Sequence, residues 1–167
     1  MKGVVASIFI ALAVLVGCVT TQQSVQTTTA PVTIAVWDFE DLSPYKTAKY
    51  SFYSTVLADA CIEKLKEIKG VEAVERSRLL QVLEEQALGS SELADESTRL
   101  RLGKLLGAKR MIFGTYQVIG GQVRIDMRLV DVETSKVLGA DEKTLQRVQT
   151  FNMVQSVRSM VEELVEK

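Results

Sequence analysis

The chain has 167 residues, and its 20 basic and 21 acidic side chains give a net charge of −1 at pH 7. This balance lacks the basic excess of nucleic-acid-binding domains, so we expect no nucleic-acid partner. The sequence contains no histidine, which excludes Ser-His-Asp and Cys-His catalytic arrangements and removes the commonest metal ligand. We therefore predict a protein that is not an enzyme and uses neither a cofactor nor a metal. A hydrolase working with carboxylates alone is the enzymatic alternative.

The first predicted element is an apolar segment over residues 4–16, which follows Lys2 closely. It is shorter than the roughly 20 residues that a transmembrane helix needs, and polar residues 20–23 prevent its extension. A positive amino terminus, a short apolar core and a small residue before the cleavage point are typical of a secretory signal. We therefore predict a cleaved signal peptide over residues 1–17. The alternatives are an uncleaved membrane anchor and ordinary secretion with release of a soluble protein.

A short motif at the end of this segment, Leu15-Val16-Gly17-Cys18, resembles the lipobox of bacterial lipoproteins. The resemblance implies cleavage between Gly17 and Cys18 and attachment of a lipid to the Cys18 thiol, the nucleophilic group that can carry it. Valine rather than aspartate follows Cys18, which by resemblance to lipoprotein sorting favours the outer membrane. We therefore predict a protein anchored in the outer membrane by its lipid and facing the periplasm.

Residues 18–31 form a Thr/Gln-rich segment with too little apolar content to fold. As a flexible coil, this segment holds the next part of the chain on the order of 20 Å from the membrane. Residues 32–167 have the length of one domain with a single substantial core. The predicted organisation is therefore a signal peptide (1–17), a lipidated tether (18–31) and one periplasmic domain (32–167).

The domain opens with an apolar, β-branched segment over residues 32–39, which predicts a strand buried on both faces. Apolar spacings of three and four then predict a helix over 48–69 that ends at Gly70, and residues 71–75 are predicted to form a short strand. This order indicates a right-handed βαβ unit with parallel strands. Within the helix, we expect Cys61 to be a small buried residue without an internal disulfide partner, the alternatives being an intermolecular disulfide or a reactive thiol.

Three further helices and three strands are predicted after this unit. Ser77 is expected to cap the first of these helices. Gly120-Gly121 predicts a tight hairpin between the first two strands, and strict alternation from Val123 to Leu129 places one face of the second strand on the core. The predicted boundaries are 78–88, 95–106 and 150–166 for the helices, and 111–118 and 136–145 for the outer two strands. The helix positions expected to face inward include Leu79, Leu80, Val82, Leu83, Leu88, Leu102, Leu105, Leu106, Phe151, Val154, Val157, Val161, Leu164 and Val165.

These elements predict an α/β (α+β) fold, a mixed sheet built from a βαβ unit and an antiparallel meander with helices packed on it. Within this order, five motifs carry a resemblance to a known family. They are Ile34–Asp41, Val74–Leu79, Leu102–Ala108, Phe113–Tyr116 and Arg128–Thr134. Together with the lipobox, they are similar to the curli production assembly/transport (CsgG-like) family, whose relatives include the flagellar lipoprotein FlgO and the penicillin-binding-protein activator LpoB.

The resemblance implies the family's periplasmic fold without its channel. Exporters of this family build an outer-membrane pore from β-hairpins, and each crossing strand needs about 9–11 residues. Here Gly120-Gly121 and residues 133–136 form short turns in the two hairpins, so neither hairpin contains an insertion long enough to cross a membrane. We therefore predict a non-enzymatic protein that binds other envelope proteins as a scaffold, regulator or assembly factor. The alternatives are a subunit of a self-assembling ring associated with outer-membrane secretion or the flagellar apparatus, and a peptidoglycan-synthase activator.

Two sets of arginines are candidate partner surfaces. Arg124, Asp126 and Arg128 alternate on the exposed face of a predicted strand. They could bind planar acceptors of a partner, or form ion pairs that discourage strand stacking. Arg76 and Arg78 lie at a predicted helix start, where positive charge is unfavourable, so they indicate either an anionic partner or a salt bridge to the nearby Glu75 or Glu72.

Two further clusters lie after the first strand. The acidic cluster, Asp38, Glu40 and Asp41, offers ligands for a hard cation such as calcium, although the spacing matches no calcium loop. The simpler interpretation is a solvated loop in which Asp or Ser caps the next helix. Exposed aromatic residues near the start of that helix could form a binding hot spot, although Tyr53 lies on the buried stripe. The aromatic residues in question are Tyr45, Tyr50, Phe52 and Tyr53.

Overall fold

The computed structural model describes residues 30–86, residue 93 and residues 95–166. The predicted signal peptide, with its cleavage point at Gly17 and the lipidated Cys18, lies outside the described residues, as do Leu88 and most of the predicted tether. Of the helices in the described part of the chain, none is both long enough and apolar enough to cross a membrane.

Four helices and six strands make up the described part of the domain. In chain order they are β1 (Val32–Val36), β2 (Glu40–Asp41), α1 (Tyr53–Glu67), β3 (Val71–Ala73), α2 (Arg76–Gln86), α3 (Glu96–Leu105), β4 (Arg110–Ile119), β5 (Gln122–Asp131), β6 (Val137–Leu145) and α4 (Thr150–Val165). The predicted order of helices and strands is confirmed, and β2 is an additional strand of two residues.

The sheet is mixed, as the sequence predicts. β1 lies between β3 and β4 and pairs with both in parallel, while β4, β5 and β6 form an antiparallel meander. The strand order is β3-β1-β4-β5-β6, and β2 pairs with β4 off this path. Gly120 and Gly121 close the β4–β5 hairpin with φ of 59° and 84°, the positive values that a type I′ turn requires. Residues 132–136 join β5 to β6, so neither connection of the meander holds an inserted hairpin.

Helices cover the two faces of the sheet. α1 and α4 pack on one face, around a core that includes the alternate residues of β5, Val123, Ile125, Met127 and Leu129. α2 and α3 pack on the other face, around Trp37, Met111 and Phe113. Cys61 is a free thiol that is fully buried in the first core, as predicted. Its burial raises the pKa of the thiol far above the usual range, so the thiol is chemically inert in the folded protein.

The predicted starts of two helices are wrong. α1 begins at Tyr53 rather than at residue 48, because the chain first makes successive turns. In these turns the Tyr50 N–H donates to the Thr47 carbonyl and the Tyr53 N–H donates to the Tyr50 carbonyl. α2 begins at Arg76, so Ser77 lies inside the first turn and does not cap the helix.

Three residues that were predicted to face the core are exposed. Leu80 is 49% exposed, although Leu79 of the same helix is buried, because consecutive helical residues lie about 100° apart. Leu105 is 54% exposed, because it lies about 100° around α3 from the buried Leu106. Phe151 is 72% exposed, because it lies on the side of α4 opposite the fully buried Met153 and Met160. Phe151 forms part of one of the candidate surfaces described below.

Candidate partner surfaces

The first candidate surface is the outer face of β5, where the strand register places charged side chains side by side. Asp126 lies opposite Thr115 of β4 and Glu142 of β6. Arg124 and Arg128 flank Asp126 on the same face, because alternate residues of a strand share a face. The structure thus brings the three predicted residues together. We call Arg124, Asp126, Arg128 and Glu142 the charged sheet face.

Both arginines of the charged sheet face bind carboxylates of this chain. Arg124 Nε donates to both carboxylate oxygens of Asp126 at 3.0 Å, and its Nη2 donates to Glu142. The hydrogen bond to Asp126 is the main cause of the raised pKa of Arg124. Arg128 Nη2 donates to Glu96 of α3 at 2.5 Å. The expected ion pairs are therefore present, and binding of an outside partner at this face stays a prediction.

Arg76 lies at the start of α2, beside the carboxyl end of β1. Its Nη2 donates to Asp38 Oδ2 at 2.8 Å and its Nη1 donates to Oδ1, and this pairing raises the pKa of Arg76. The predicted salt bridge to Glu75 or Glu72 is wrong. β3 lies next to β1 and runs parallel to it, so Arg76, which follows β3, lies close to Asp38, which follows β1. Glu75 instead pairs with a lysine of α1 at 3.0 Å. Arg78 is exposed and forms no ion pair with a described residue.

The acidic cluster after β1 serves the fold in three separate ways. Asp38 pairs with Arg76, and Glu40 pairs with Arg99 of α3. Asp41 Oδ1 accepts a hydrogen bond from the Ser43 N–H at 2.8 Å, which turns the chain into the following loop. No side chain caps α1, so the expected cap is wrong. Within the described residues, no group of three ligand-type side chains is placed to hold a metal ion.

Exposed apolar side chains collect at one end of the sheet. β2, β4 and β6 run in the same direction and finish at this end, and α1 and α4 begin there. We call the segments 42–53, 118–122 and 145–152 the aromatic pole. Its exposed apolar residues are Leu42, Tyr45, Phe52, Ile119 and Phe151.

Two buried tyrosines join the parts of the aromatic pole. Tyr116 Oη donates to the backbone carbonyl of Tyr50 at 2.9 Å, and Tyr53 Oη lies 3.1 Å from Thr150 Oγ1 at the start of α4. The rings of Phe52 and Tyr53 pack with their centroids 4.2 Å apart. Burial is the main cause that raises the pKa of Tyr116 to about 12, so its hydroxyl keeps the proton that it donates. The aromatic pole is therefore held together by hydrogen bonds between distant parts of the chain.

The charged side chains of the aromatic pole are all positive. They are Lys46, Lys49 and Arg147, and the three segments contain no carboxylate. None of these cations forms an ion pair with a described residue, although Lys49 Nζ lies 5.2 Å from the ring centroid of Tyr50. The aromatic pole is thus both apolar and cationic, in a chain whose net charge is −1.

Sequence reasoning found only one of the three segments of this surface. It singled out the aromatic residues of segment 42–53, of which Tyr45 is exposed and Tyr53 is buried. It missed Ile119 and placed Phe151 in the core. A signal for Phe151 was present, because helical geometry sets it apart from the buried stripe of α4. No sequence signal shows that Ile119 and Phe151 lie at the same end of the domain as Tyr45.

Several solved structures share this fold at low sequence identity. The C-terminal domain of LpoB from Salmonella enterica is 13% identical, with a TM-score of 0.59 over 73% of this chain and 87% of that chain. Lipoprotein GNA1162 from Neisseria meningitidis is 15% identical, with a TM-score of 0.55 over 82% of this chain and 99% of that chain. PelC from Paraburkholderia phytofirmans, solved as a dodecamer, is 12% identical, with a TM-score of 0.51 over 83% and 92% of the two chains. At such identities these likenesses establish the fold alone.

The family is established by sequence. No curated protein matches the chain, but the family model for the curli production assembly/transport component CsgG matches residues 18–120. This match covers more than half of the chain and includes β1 to β4, which confirms the resemblance carried by the sequence motifs. The protein therefore belongs to the CsgG family of curli production assembly/transport components, and so to the proteins of the bacterial cell envelope.

Proposed function

We propose that this protein is a lipid-anchored docking protein of the outer membrane that faces the periplasm and binds other envelope proteins as a scaffold, regulator or assembly factor. The observation that carries the proposal is the match to the CsgG family, which starts at Cys18, the residue predicted to bear the lipid. The aromatic pole supplies an exposed surface on which such binding can occur.

Lipidation gives docking a physical advantage. A domain held to a membrane by the segment 18–31 is confined to a thin layer, so its effective concentration toward partners in that layer rises without any new contact. Even a modest surface of aromatic and cationic side chains then gives useful occupancy. The proposal therefore joins an anchor at Cys18 to a binding surface on the folded domain.

The proposal assigns no catalytic step. The absence of histidine removes the usual general bases, and the acidic cluster is engaged in pairing with Arg76 and Arg99 and in the turn at Ser43. If the protein were a carboxylate-dependent hydrolase, the variants Asp38→Ala and Asp41→Ala would lose its cellular phenotype. We expect both variants to keep that phenotype whenever they remain folded.

The anchor is tested by metabolic labelling with radioactive palmitate and by fractionation of inner and outer membranes. We expect the full chain to be labelled and to separate with the outer membrane, and Cys18→Ser to lose both the label and the membrane association. Cys61→Ala is the matched control, because Cys61 is buried and its replacement leaves the lipid in place. An unlabelled wild-type chain, or a Cys18→Ser variant that stays in the outer membrane, overturns the proposal.

A ring-forming subunit is the second candidate function. β6 is an edge strand whose first residues, Val137 and Leu138, are exposed, and PelC, which shares the fold, is solved as a dodecamer. If this edge of one subunit contacted a different surface of the next subunit, repetition of that head-to-tail contact could close a ring. Light scattering on the lipid-free chain separates the candidates, since a closed oligomer supports the ring and a monomer at micromolar concentration rejects it.

A further inference from the structure

We propose that the aromatic pole is the docking surface and that its occupant is an acidic polypeptide segment of another envelope protein, one that carries carboxylates beside apolar side chains. The inference rests on the proposed docking function and names the chemistry of the partner. It is carried by two properties of the same surface, the exposed apolar side chains and the unpaired cations.

Of the nine large apolar side chains that are exposed in the described part of the chain, five lie at the aromatic pole. Tyr45 is 86% exposed and Phe52 is 46% exposed, and they share this end with Phe151, Leu42 and Ile119. Single exposed apolar residues are normal, but a group at one end of a domain marks an interaction site. Tyrosine and arginine are also among the residue types enriched at the few positions that dominate binding free energy. A partner must therefore present apolar side chains to this end of the domain.

The cations of the aromatic pole select the charge of the partner. Elsewhere in the described chain, Arg76, Arg124 and Arg128 each bind a carboxylate of the same molecule. Lys46, Lys49 and Arg147 form no ion pair with a described residue. Other exposed lysines share this property, but at the aromatic pole the cations lie beside exposed aromatic side chains, so their positive potential favours an anionic surface that also carries apolar groups. Two copies of this chain joined pole to pole would place cations against cations, which argues against a second copy as the occupant.

The position of the predicted anchor argues against the membrane as the occupant. β1 starts at the opposite end of the sheet, where the Lys109 N–H donates to the Thr33 carbonyl at 2.8 Å. From there β4 runs ten residues to Ile119, a distance of about 30 Å. Residues 18–31 span at most about 50 Å when fully extended. Resting the aromatic pole on the anchoring membrane would use most of that length and would lose the conformational freedom of the segment.

The first experiment is site-specific photocrosslinking in cells with the full-length, lipidated protein. p-Benzoylphenylalanine replaces Tyr45 or Phe151 at the aromatic pole, and Leu105 serves as the matched control because it is exposed and apolar and lies on α3, outside the pole. Crosslinked peptides are identified by mass spectrometry. We expect both pole positions to give adducts with an envelope-protein peptide of net negative charge that contains apolar residues, and Leu105 to give none with that peptide.

The second arm tests the charge. The triple variant Lys46→Glu, Lys49→Glu, Arg147→Glu should lower the yield of the pole adduct about tenfold. The matched control is Lys69→Glu, Lys109→Glu, Lys136→Glu, which reverses three exposed lysines near the opposite end that also form no ion pair with any residue the structure describes, and it should leave the yield unchanged. Both variants are checked for normal abundance and for an unchanged melting temperature.

The outcomes separate this inference from the proposed function. Loss of the palmitate label from the wild-type chain defeats the proposed anchor. With the label present, the inference is overturned by lipid adducts, by adducts with a second copy, by a peptide without acidic residues, by equal yields at Leu105 and Tyr45, or by no adducts. It is likewise overturned if reversing the three pole cations has no effect in a folded variant.

Discussion

The charged sheet face and the aromatic pole are both rich in exposed cationic side chains, but the chain treats those cations differently. On the charged sheet face, Arg124 bridges Asp126 and Glu142, and Arg128 reaches Glu96. At the aromatic pole the cations face solvent beside exposed aromatic rings, with no carboxylate in the same segments. One surface is neutralised within the molecule, whereas the cations of the other form no ion pair with a described residue, although Asp41 lines a cavity together with Lys46.

This difference shows that a conspicuous charge pattern in the sequence does not mean that the charged side chains are free to bind a partner. Alternating Arg-Asp-Arg on β5 is conspicuous in the sequence, and strand geometry then brings the opposite charges together. The cations of the aromatic pole are scattered over two distant segments, and only the fold gathers them. Neutralisation within the chain is therefore a better guide to function than the density of charge.

The largest expected effect comes from removing the ring of Phe39, whose backbone is hydrogen-bonded to Ser54 in the first turn of α1, next to the aromatic pole. Phe39 is buried against Gly114, where a larger residue would clash with its ring. We expect Phe39→Ala to lower the free energy of unfolding by about 3–5 kcal/mol and to abolish the pole adducts of Tyr45. Urea unfolding followed by the fluorescence of Trp37, the single tryptophan, measures the loss.

Phe113 provides the matched comparison, because it is equally buried but lies beneath the charged sheet face, with Arg128 over its ring at 5.4 Å. Phe113→Ala should cost a similar free energy of unfolding, about 3–5 kcal/mol, and yet keep the pole adducts at temperatures where the variant is folded. Equal loss of adducts in the two variants would show that the aromatic pole is not a separate functional region.

The sequence predicted the fold well because most of its signals are local. Alternation on β5, the glycines at positions 120 and 121, and the helical spacing of α1 each fix an element through its own residues. The order of elements then left few topologies, since a strand–helix–strand unit is right-handed and parallel. The errors occurred where tertiary contacts determine the local structure. At residues 47–52, turns replace the predicted start of the helix, and they bring the Tyr50 carbonyl to the Tyr116 hydroxyl.

The candidate site was much less predictable for the same reason. Arg76 pairs with Asp38, which is 38 residues away in sequence. Sequence alone points only to acidic residues near Arg76 in the chain and therefore predicts a salt bridge to Glu75 or Glu72. Phe151 joins the aromatic pole through Thr150 and Tyr53, which are separated by 97 residues. Contacts of this range follow from the completed sheet and not from any local pattern. The predicted lipidation of Cys18 is local and remains a prediction for the labelling experiment.

The second prediction concerns the hydrogen bond that holds the loop of the aromatic pole. Tyr116→Phe removes the donor to the Tyr50 carbonyl and should cost about 1 kcal/mol of unfolding free energy at neutral pH. The yield of the Tyr45 adduct should fall as well, because the loop that carries Tyr45 loses its attachment to β4. Thermal unfolding of the two proteins checks the first effect, and an unchanged melting temperature would contradict it.

Tyr116 also makes the stability of the folded protein depend on pH in the alkaline range. The pKa of Tyr116 is raised from 10.0 to about 12 in the folded protein, so between these values the unfolded chain releases the proton while the folded chain keeps it. Stability is therefore unaffected by this group below pH 10 and falls as the pH rises from 10 toward 12. In Tyr116→Phe this component is absent, so the variant should lose less stability than the wild type over that range.

The third prediction concerns Asp38 and Arg76, a neutralised pair close to the aromatic pole. Both side chains are partly exposed, so we expect Asp38→Asn to cost only about 0.5–1 kcal/mol. If neutralised charges serve the fold alone, the pole adducts of Tyr45 should persist in this variant at wild-type yield. A marked drop in adducts without a drop in stability would instead extend the binding surface to α2.

The smallest effect is expected at Arg124, the centre of the charged sheet face. Arg124→Gln leaves Asp126 and Glu142 opposite each other across β5 and β6, so two negative charges that were bridged now repel. The repulsion acts between exposed groups, and about 1 M salt reduces the screening length to about 3 Å. A small decrease in melting temperature should therefore appear at low salt and vanish at high salt, while the pole adducts stay constant. Loss of those adducts in Arg124→Gln at either salt concentration would mean that the charged sheet face takes part in binding, and the distinction between the two surfaces would fail.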